Sequence, residues 1–125
     1  MPTSDAPVGA VVRVPFPYTD GAAQQHRPAL VVAAAGPAPA APLLWVLMIT
    51  SAANRGWPGD LDIPDPRAAG LPAPSVIRTA KIATIDAARA EPRGSVDPAT
   101  IAAARACVRE RLDLPADLRP ERPEV

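Results

Sequence analysis

Cysteine and histidine each occur once in the 125 residues, as Cys107 and His26. A single cysteine excludes a disulfide within the chain and any cysteine-cluster metal site, and a single histidine leaves no set of imidazoles for a zinc centre, so no metal and no cofactor is expected. Aromatic residues make up only 3% of the chain, which singles out Phe16, Tyr18, Trp45 and Trp57. Net charge is also missing: 13 Lys or Arg stand against 13 Asp or Glu, so no global basic field draws in nucleic acid. No apolar run reaches the roughly eighteen residues that span a bilayer. The N-terminus shows no basic-then-apolar leader, so the expected setting is the cytosol, away from membranes. At 12.9 kDa the chain has room for one domain, which excludes an enzyme with separate cofactor and substrate modules.

What the sequence has in excess is proline, 18 residues beside 7 glycines. Each interior proline removes a backbone donor and clashes with the preceding turn, so little helix is expected before residue 97. With 48% hydrophobic residues a core can still form, and short strands between proline-bounded loops suit this punctuation. Residues 8 to 16 (VGAVVRVPF) read as a half-buried strand, with Val12, Val14 and Phe16 on one face and Val11, Arg13 and Pro15 on the other. A polar stretch at 17 to 27 reads as a mobile loop. PALVVAAA at 28 to 35 is a second strand, followed by a Pro- and Ala-rich loop to residue 42.

LLWVLMITS at 43 to 51 is a nearly continuous apolar run that suits a central strand buried on both faces, Trp45 included. AANRGWPG is a second polar loop leading to DLDI. SVIRTAKIATI at 75 to 85 is two short strands or one bent one. Residues 97 to 112 form the one clear helix, with Asp97 as N-cap, Pro98 at the first position and an apolar stripe of Ile101, Ala104, Val108 and Leu112. Cys107 beside that stripe reads as a packed side chain. The domain is expected to occupy residues 1 to 114, with 115 to 125 a disordered tail.

Charge is unevenly placed. Arg67, Arg78, Lys81, Arg89, Arg93, Arg105, Arg109 and Arg111 outnumber Asp86, Glu91, Asp97 and Glu110 between residues 66 and 111, so a local basic patch can sit inside the neutral total. Every basic residue except Lys81 is arginine. With the alanine and proline excess this points to GC-rich coding, so position carries more information than residue type.

Three ordered segments, VVRVPFPYTD at 11 to 20, HRPALVV at 26 to 32 and GLPAPSVIRTAKIATID at 70 to 86, resemble the MazF/PemK family of type II toxin-antitoxin toxins. MITS at 48 to 51 is similar to the family's threonine-bearing third strand. The resemblance covers most of residues 8 to 112. It implies an α+β, mainly β fold: a small SH3-like curved β-barrel of MazF/CcdB type with a C-terminal helix, usually a homodimer. It also implies a metal-independent, sequence-specific endoribonuclease that cleaves single-stranded RNA, with a cognate antitoxin as partner. In that chemistry the ribose 2′-OH attacks the adjacent phosphate and leaves 2′,3′-cyclic phosphate and 5′-OH ends, which restricts the substrate to RNA.

Carried over by position, Arg27 matches the family's essential arginine and Thr50 its partner threonine. A guanidinium forks onto two phosphate oxygens and keeps its charge at any working pH, so Arg27 is expected to stabilise the transition state. Thr50, with Ser51 beside it, can donate a hydroxyl to the same phosphoryl group. Arg78 and Lys81 form a second cluster for RNA, joined by Gln25, and by Phe16 and Trp57 as base-stacking candidates. Some family members carry a general-base aspartate two residues after the arginine matched by Arg78. Here that place is Ala80, so Arg78 is expected to bind phosphate or orient a strand rather than pair with a carboxylate. His26, Asp20 and Asp86 remain as candidate bases, although an extended strand turns His26 away from Arg27. Ala10 stands where family members commonly have an acidic residue. A non-catalytic barrel that poisons gyrase, or a degenerate relative that binds RNA or antitoxin, is the alternative reading.

Overall fold

The computed structural model of the chain describes residues 8–16, 25–35 and 43–113, with Phe16 and Gln25 represented by their backbone. The expected mobile loop with Tyr18 and Asp20, the loop before residue 43 and the tail at 115 to 125 lie outside the described residues.

Six strands form one antiparallel sheet: β1 (Ala10–Phe16), β2 (Gln25–Ala35), β3 (Leu43–Ser51), β4 (Asp60–Asp62), β5 (Ser75–Asp86) and β6 (Glu91–Ser95), in the order β4-β5-β3-β2-β1-β6. Helix α1 (Pro98–Leu112) follows. The mainly β architecture with a C-terminal helix is the one the sequence suggests. β1 and β5 approach each other although β2 and β3 lie between them in the sheet, so the sheet curls. Its hydrogen bonding nevertheless stays open from β4 to β6 among the described residues, and the barrel is a curled sheet rather than a closed ring.

The alternation of side chains across each strand divides the core in two. On the inner face of the curl, Val12, Val14, Ala29, Val46, Met48 and Ile85 pack together. On the outer face, Val11, Leu30, Leu47, Ile49 and Ile77 pack under Ala104 of α1. Each fully buried Leu, Ile or Val contributes about 1.5–3 kcal/mol by leaving water. β1 therefore departs from the half-buried reading: Val11 and Val12 are both 0% exposed, because curl and helix cover opposite faces of the same strand. β3 is central, as its apolar run suggests, and it is buried from Val46 to Thr50.

Trp45 corrects the sequence reading, being 44% exposed. It lies on the outer face opposite Ala33 and Thr84, at the rim of the surface that α1 covers, with Ile82, Arg105 and Arg109 around it. The helical stripe likewise ends early: Ala104 is buried, but Leu112 is 77% exposed. Asp97 caps α1 as expected, accepting from the Thr100 amide at 3.2 Å, and Pro98 takes the first helical position.

Two irregularities shape the functional end. β2 begins at Gln25, earlier than the sequence suggests, because pairing with β1 runs on to Phe16 opposite Gln25; this places Arg27 inside the strand. β5 is one strand with a bend: Leu47 pairs with Ile82 but Met48 with Arg78, so Thr79, Ala80 and Lys81 bulge between successive rungs. At the far edge, Gly70 (φ +74) and Gly94 let the 66–70 turn lie against β6. A Cβ at Gly70 would stand 2.3 Å from the Arg93 carbonyl oxygen.

Candidate active site

The inner face changes character along its length. Ala29 and Met48 form the last paired rung of the β2–β3 ladder at this end, and both belong to the inner apolar cluster. Two residues further along, on the same face of each strand, stand Arg27 and Thr50. Arg27 is half-buried and paired with Val14 of β1, also on the inner face. On the other side of β3, Met48 pairs with Arg78 and Thr50 with Val76. Arg27 and Thr50 thus continue β2 and β3 past the last apolar rung, and Arg78 of β5 stands level with that rung.

Arg78 is nearly buried, with a side chain 9% exposed, and its partner Asp60 is buried to a similar degree at 7%. Arg78 Nε donates to Asp60 Oδ1 at 3.2 Å and Nη2 to Asp60 Oδ2 at 3.0 Å, a bidentate fork. Nη2 also donates to the Asn54 carbonyl oxygen at 2.6 Å. The Trp57 ring covers the guanidinium at 4.3 Å, with Lys81 Nζ at 5.8 Å from the same ring. Asp60 in turn accepts from the amides of Gly56 and Trp57, each at 3.1 Å, and so ties down the loop that carries the tryptophan. The Arg78 bond holds the Asp60 carboxyl below the usual carboxylate range despite the opposing effect of burial, and the Trp57 and Gly56 amides reinforce it.

The sequence leads one to expect that Arg78 binds phosphate or orients a strand rather than pairing with a carboxylate, and the last part is corrected: it does pair with one. The carboxylate missing at Ala80 does not leave Arg78 unpartnered, because β4 supplies one from Asp60. The guanidinium, under the Trp57 ring, has its Nε and Nη2 engaged by Asp60 and by the Asn54 backbone. Asp60, held ionised by that fork, is also a poor proton acceptor.

Thr50 is 7% exposed, and its Oγ1 accepts from Asn54 Nδ2 at 3.0 Å. Ser51 is exposed and caps the short 3-10 turn Ala52–Asn54, accepting from the Ala53 amide at 3.2 Å. Thr50, Asn54, Arg78, Asp60, Trp57 and Lys81 therefore form one chain of contacts. His26 is exposed and, as the strand neighbour of Arg27, lies on the opposite face. Asp86 is at the far end of β5, opposite Leu43, where it accepts from the Ala88 amide as a turn cap; it is not near Thr50. The backbones of Gln25 and Phe16 pair at the ends of β2 and β1. Cys107 is half-buried on α1. Among the described residues, no group of three or more His, Cys, Asp or Glu side chains is placed to hold a metal ion.

Asn54 and Asp60 are the members that sequence reading missed. Arg78 reaches Asp60 over 18 residues and Asn54 over 24, and the only local signal is a polar pair in a Gly- and Pro-rich loop, which reads equally well as a turn.

The fold has known counterparts. The sequence profile of the PemK-like, MazF-like toxins of type II toxin-antitoxin systems matches residues 8–112. The chain belongs to that family. MazF (Form-I) from Deinococcus radiodurans is 25% identical with a TM-score of 0.63, over 86% of this chain and 96% of that one. The toxin MazF-mt6 of Mycobacterium tuberculosis shares the fold at 19% identity and a TM-score of 0.64, over 85% of this chain and 98% of that one. A chain of the MazE-MazF (Form-III) crystal structure from Deinococcus radiodurans does so at 23% identity and 0.64, over 88% and 99%. No curated protein sequence matches. As a MazF/PemK toxin, the chain keeps the family's mainly β sheet and C-terminal helix, and no helix among its described residues is long and apolar enough to cross a membrane.

Proposed function

We propose that this toxin is a sequence-specific, metal-independent endoribonuclease of single-stranded RNA, acting in the cytoplasm on messenger RNA. The observation that carries the reading is the placement of Arg27 and Thr50 on one face, two residues beyond the last rung of the β2–β3 ladder, where the apolar inner layer ends. In the reaction the 2′-hydroxyl loses its proton and its oxygen bonds to phosphorus. The bond from phosphorus to the 5′ oxygen then breaks, and that oxygen takes up a proton. Negative charge gathers on the non-bridging oxygens in between. Arg27 meets that charge with a guanidinium, and Thr50 with a hydroxyl, at the rim of an apolar layer where such interactions are stronger than in water.

Trp57, exposed above Arg78, offers a face on which a base can stack, and Lys81 beside it adds positive charge. Arg78 acts here as a support for that platform. Protein partners fit the outer face: exposed Trp45, Ile82 and Leu112 form an apolar patch edged by Arg105 and Arg109. Such a patch suits a second copy of the chain or an antitoxin segment of acidic and apolar composition. The Deinococcus radiodurans structure described as MazE-MazF supports an antitoxin partner for this chain as well.

The test is to incubate the purified protein with single-stranded RNA and excess chelator and to map the ends. Cleavage leaving 5′-hydroxyl ends and lost in Arg27→Ala is the expected result. No cleavage of any tested RNA, together with tight binding to a topoisomerase or another protein, would overturn this reading in favour of a non-catalytic barrel of the gyrase-poisoning kind; binding of RNA or antitoxin without cleavage would favour the degenerate relative to which Ala80 points.

A further inference from the structure

We propose that Asn54 is a positioning residue for Thr50: its side-chain amide occupies a lone pair of the Thr50 hydroxyl and leaves the hydroxyl proton for the RNA phosphate, while the Arg78–Asp60 pair holds Asn54 in place. The inference rests on reading Thr50 as a hydrogen-bond donor to the reacting phosphate.

A threonine hydroxyl has one proton and two lone pairs. Thr50 accepts from Asn54 Nδ2 at 3.0 Å, and among the described residues it has no acceptor for its own proton. A hydroxyl fixed in this way cannot turn its proton back toward Asn54, so the proton is presented on the side where the strands open. Asn54 is held at two points. Its side-chain amide donates to Thr50, and its backbone carbonyl oxygen accepts from Arg78 Nη2 at 2.6 Å. Arg78 is itself fixed by its double bond to Asp60. The turn needs no asparagine for its own sake, because Ser51 supplies the cap and the Arg55 amide closes the turn onto the Ala52 carbonyl. An exposed asparagine whose amide serves a nearly buried hydroxyl is accounted for by what that hydroxyl must do.

The test is a double-mutant cycle on single-turnover RNA cleavage, with kcat and KM separated. Asn54→Ala should lower kcat about tenfold and change KM less than about twofold, the size expected for one lost orienting hydrogen bond. Asn54→Asp keeps the shape but turns a donor into an acceptor that captures the Thr50 proton, so its kcat should fall further. In a Thr50→Ala background neither substitution should lower kcat again. Urea midpoints measured in parallel separate these losses from unfolding, and the near-isosteric Asn54→Asp carries the test if Asn54→Ala folds poorly. Wild-type kcat in Asn54→Asp, or losses that persist without Thr50, would overturn the proposal. If Arg27→Ala abolishes cleavage while Asn54 variants do not, only this inference fails; if the wild type cleaves no RNA, the endoribonuclease reading fails with it.

Discussion

At one end of β3, Leu44 and Val46 lie in a wholly apolar layer with Val31, Ala83 and Ile85. At the other end, Thr50 leads through Asn54 to a nearly buried arginine and aspartate under a tryptophan. Both ends lie on one curled sheet, yet they are stabilised in different ways. The apolar end depends on volume, and any set of side chains that fills it to native density would serve. The polar end depends on completeness, because each buried polar group is tolerable only while its partner is present. Two arginines divide accordingly. Arg78 is engaged within the fold, and Arg27, half-buried at the strand end, is the one we propose to meet the RNA phosphate.

Breaking the polar end should have the largest effect on stability. Asp60→Ala leaves a buried guanidinium without its carboxylate and should lower stability by about 3–5 kcal/mol, read as a shift of the urea midpoint. Replacing both members together, as Asp60→Leu with Arg78→Met, should recover most of that loss. Breaking the apolar end is next: Leu44→Ala should cost about 2–5 kcal/mol in the same assay while leaving the relative rate of cleavage by folded protein nearly unchanged. Of these two ends, acid should act on the polar one. The Asp60 carboxyl is held below the usual range by Arg78, so its contribution is fully present above the unfolded value of about 3.9 and is lost as pH falls through the lower folded value. Urea midpoints measured downward from about pH 4 should therefore fall less steeply in Asp60→Asn than in the wild type. The smallest effect is expected from Trp57→Ala, about 0.5–1 kcal/mol from the lost stacking on Arg78, again read from the urea midpoint.

How much of this could be read in the sequence varies with the physics involved. β1, β3 and β5 announce themselves through β-branched runs, and α1 through Asp97, Pro98 and its spacing, because these signals are local. β6 does not: EPRGS has little strand propensity, and it pairs only because β1 offers it an edge and Gly94 admits the 66–70 turn. Trp45 sits in an apolar run that looks buried throughout, since periodicity gives a residue's face but not where the covering helix stops. That Arg27 and Thr50 lie on adjacent strands was legible through the motifs that carry them. Asn54 and Asp60 were not, because what identifies them is a contact with Arg78 that only the folded sheet creates.

The most direct test of the division between the two arginines is the single-turnover rate of RNA cleavage by Arg27→Ala relative to the wild type. A fall of about 10²–10³ is expected, the loss typical of removing one donor that meets developing charge. A rate within about threefold of the wild type, well short of the tenfold that about 1.4 kcal/mol of lost transition-state stabilisation would produce, would contradict it.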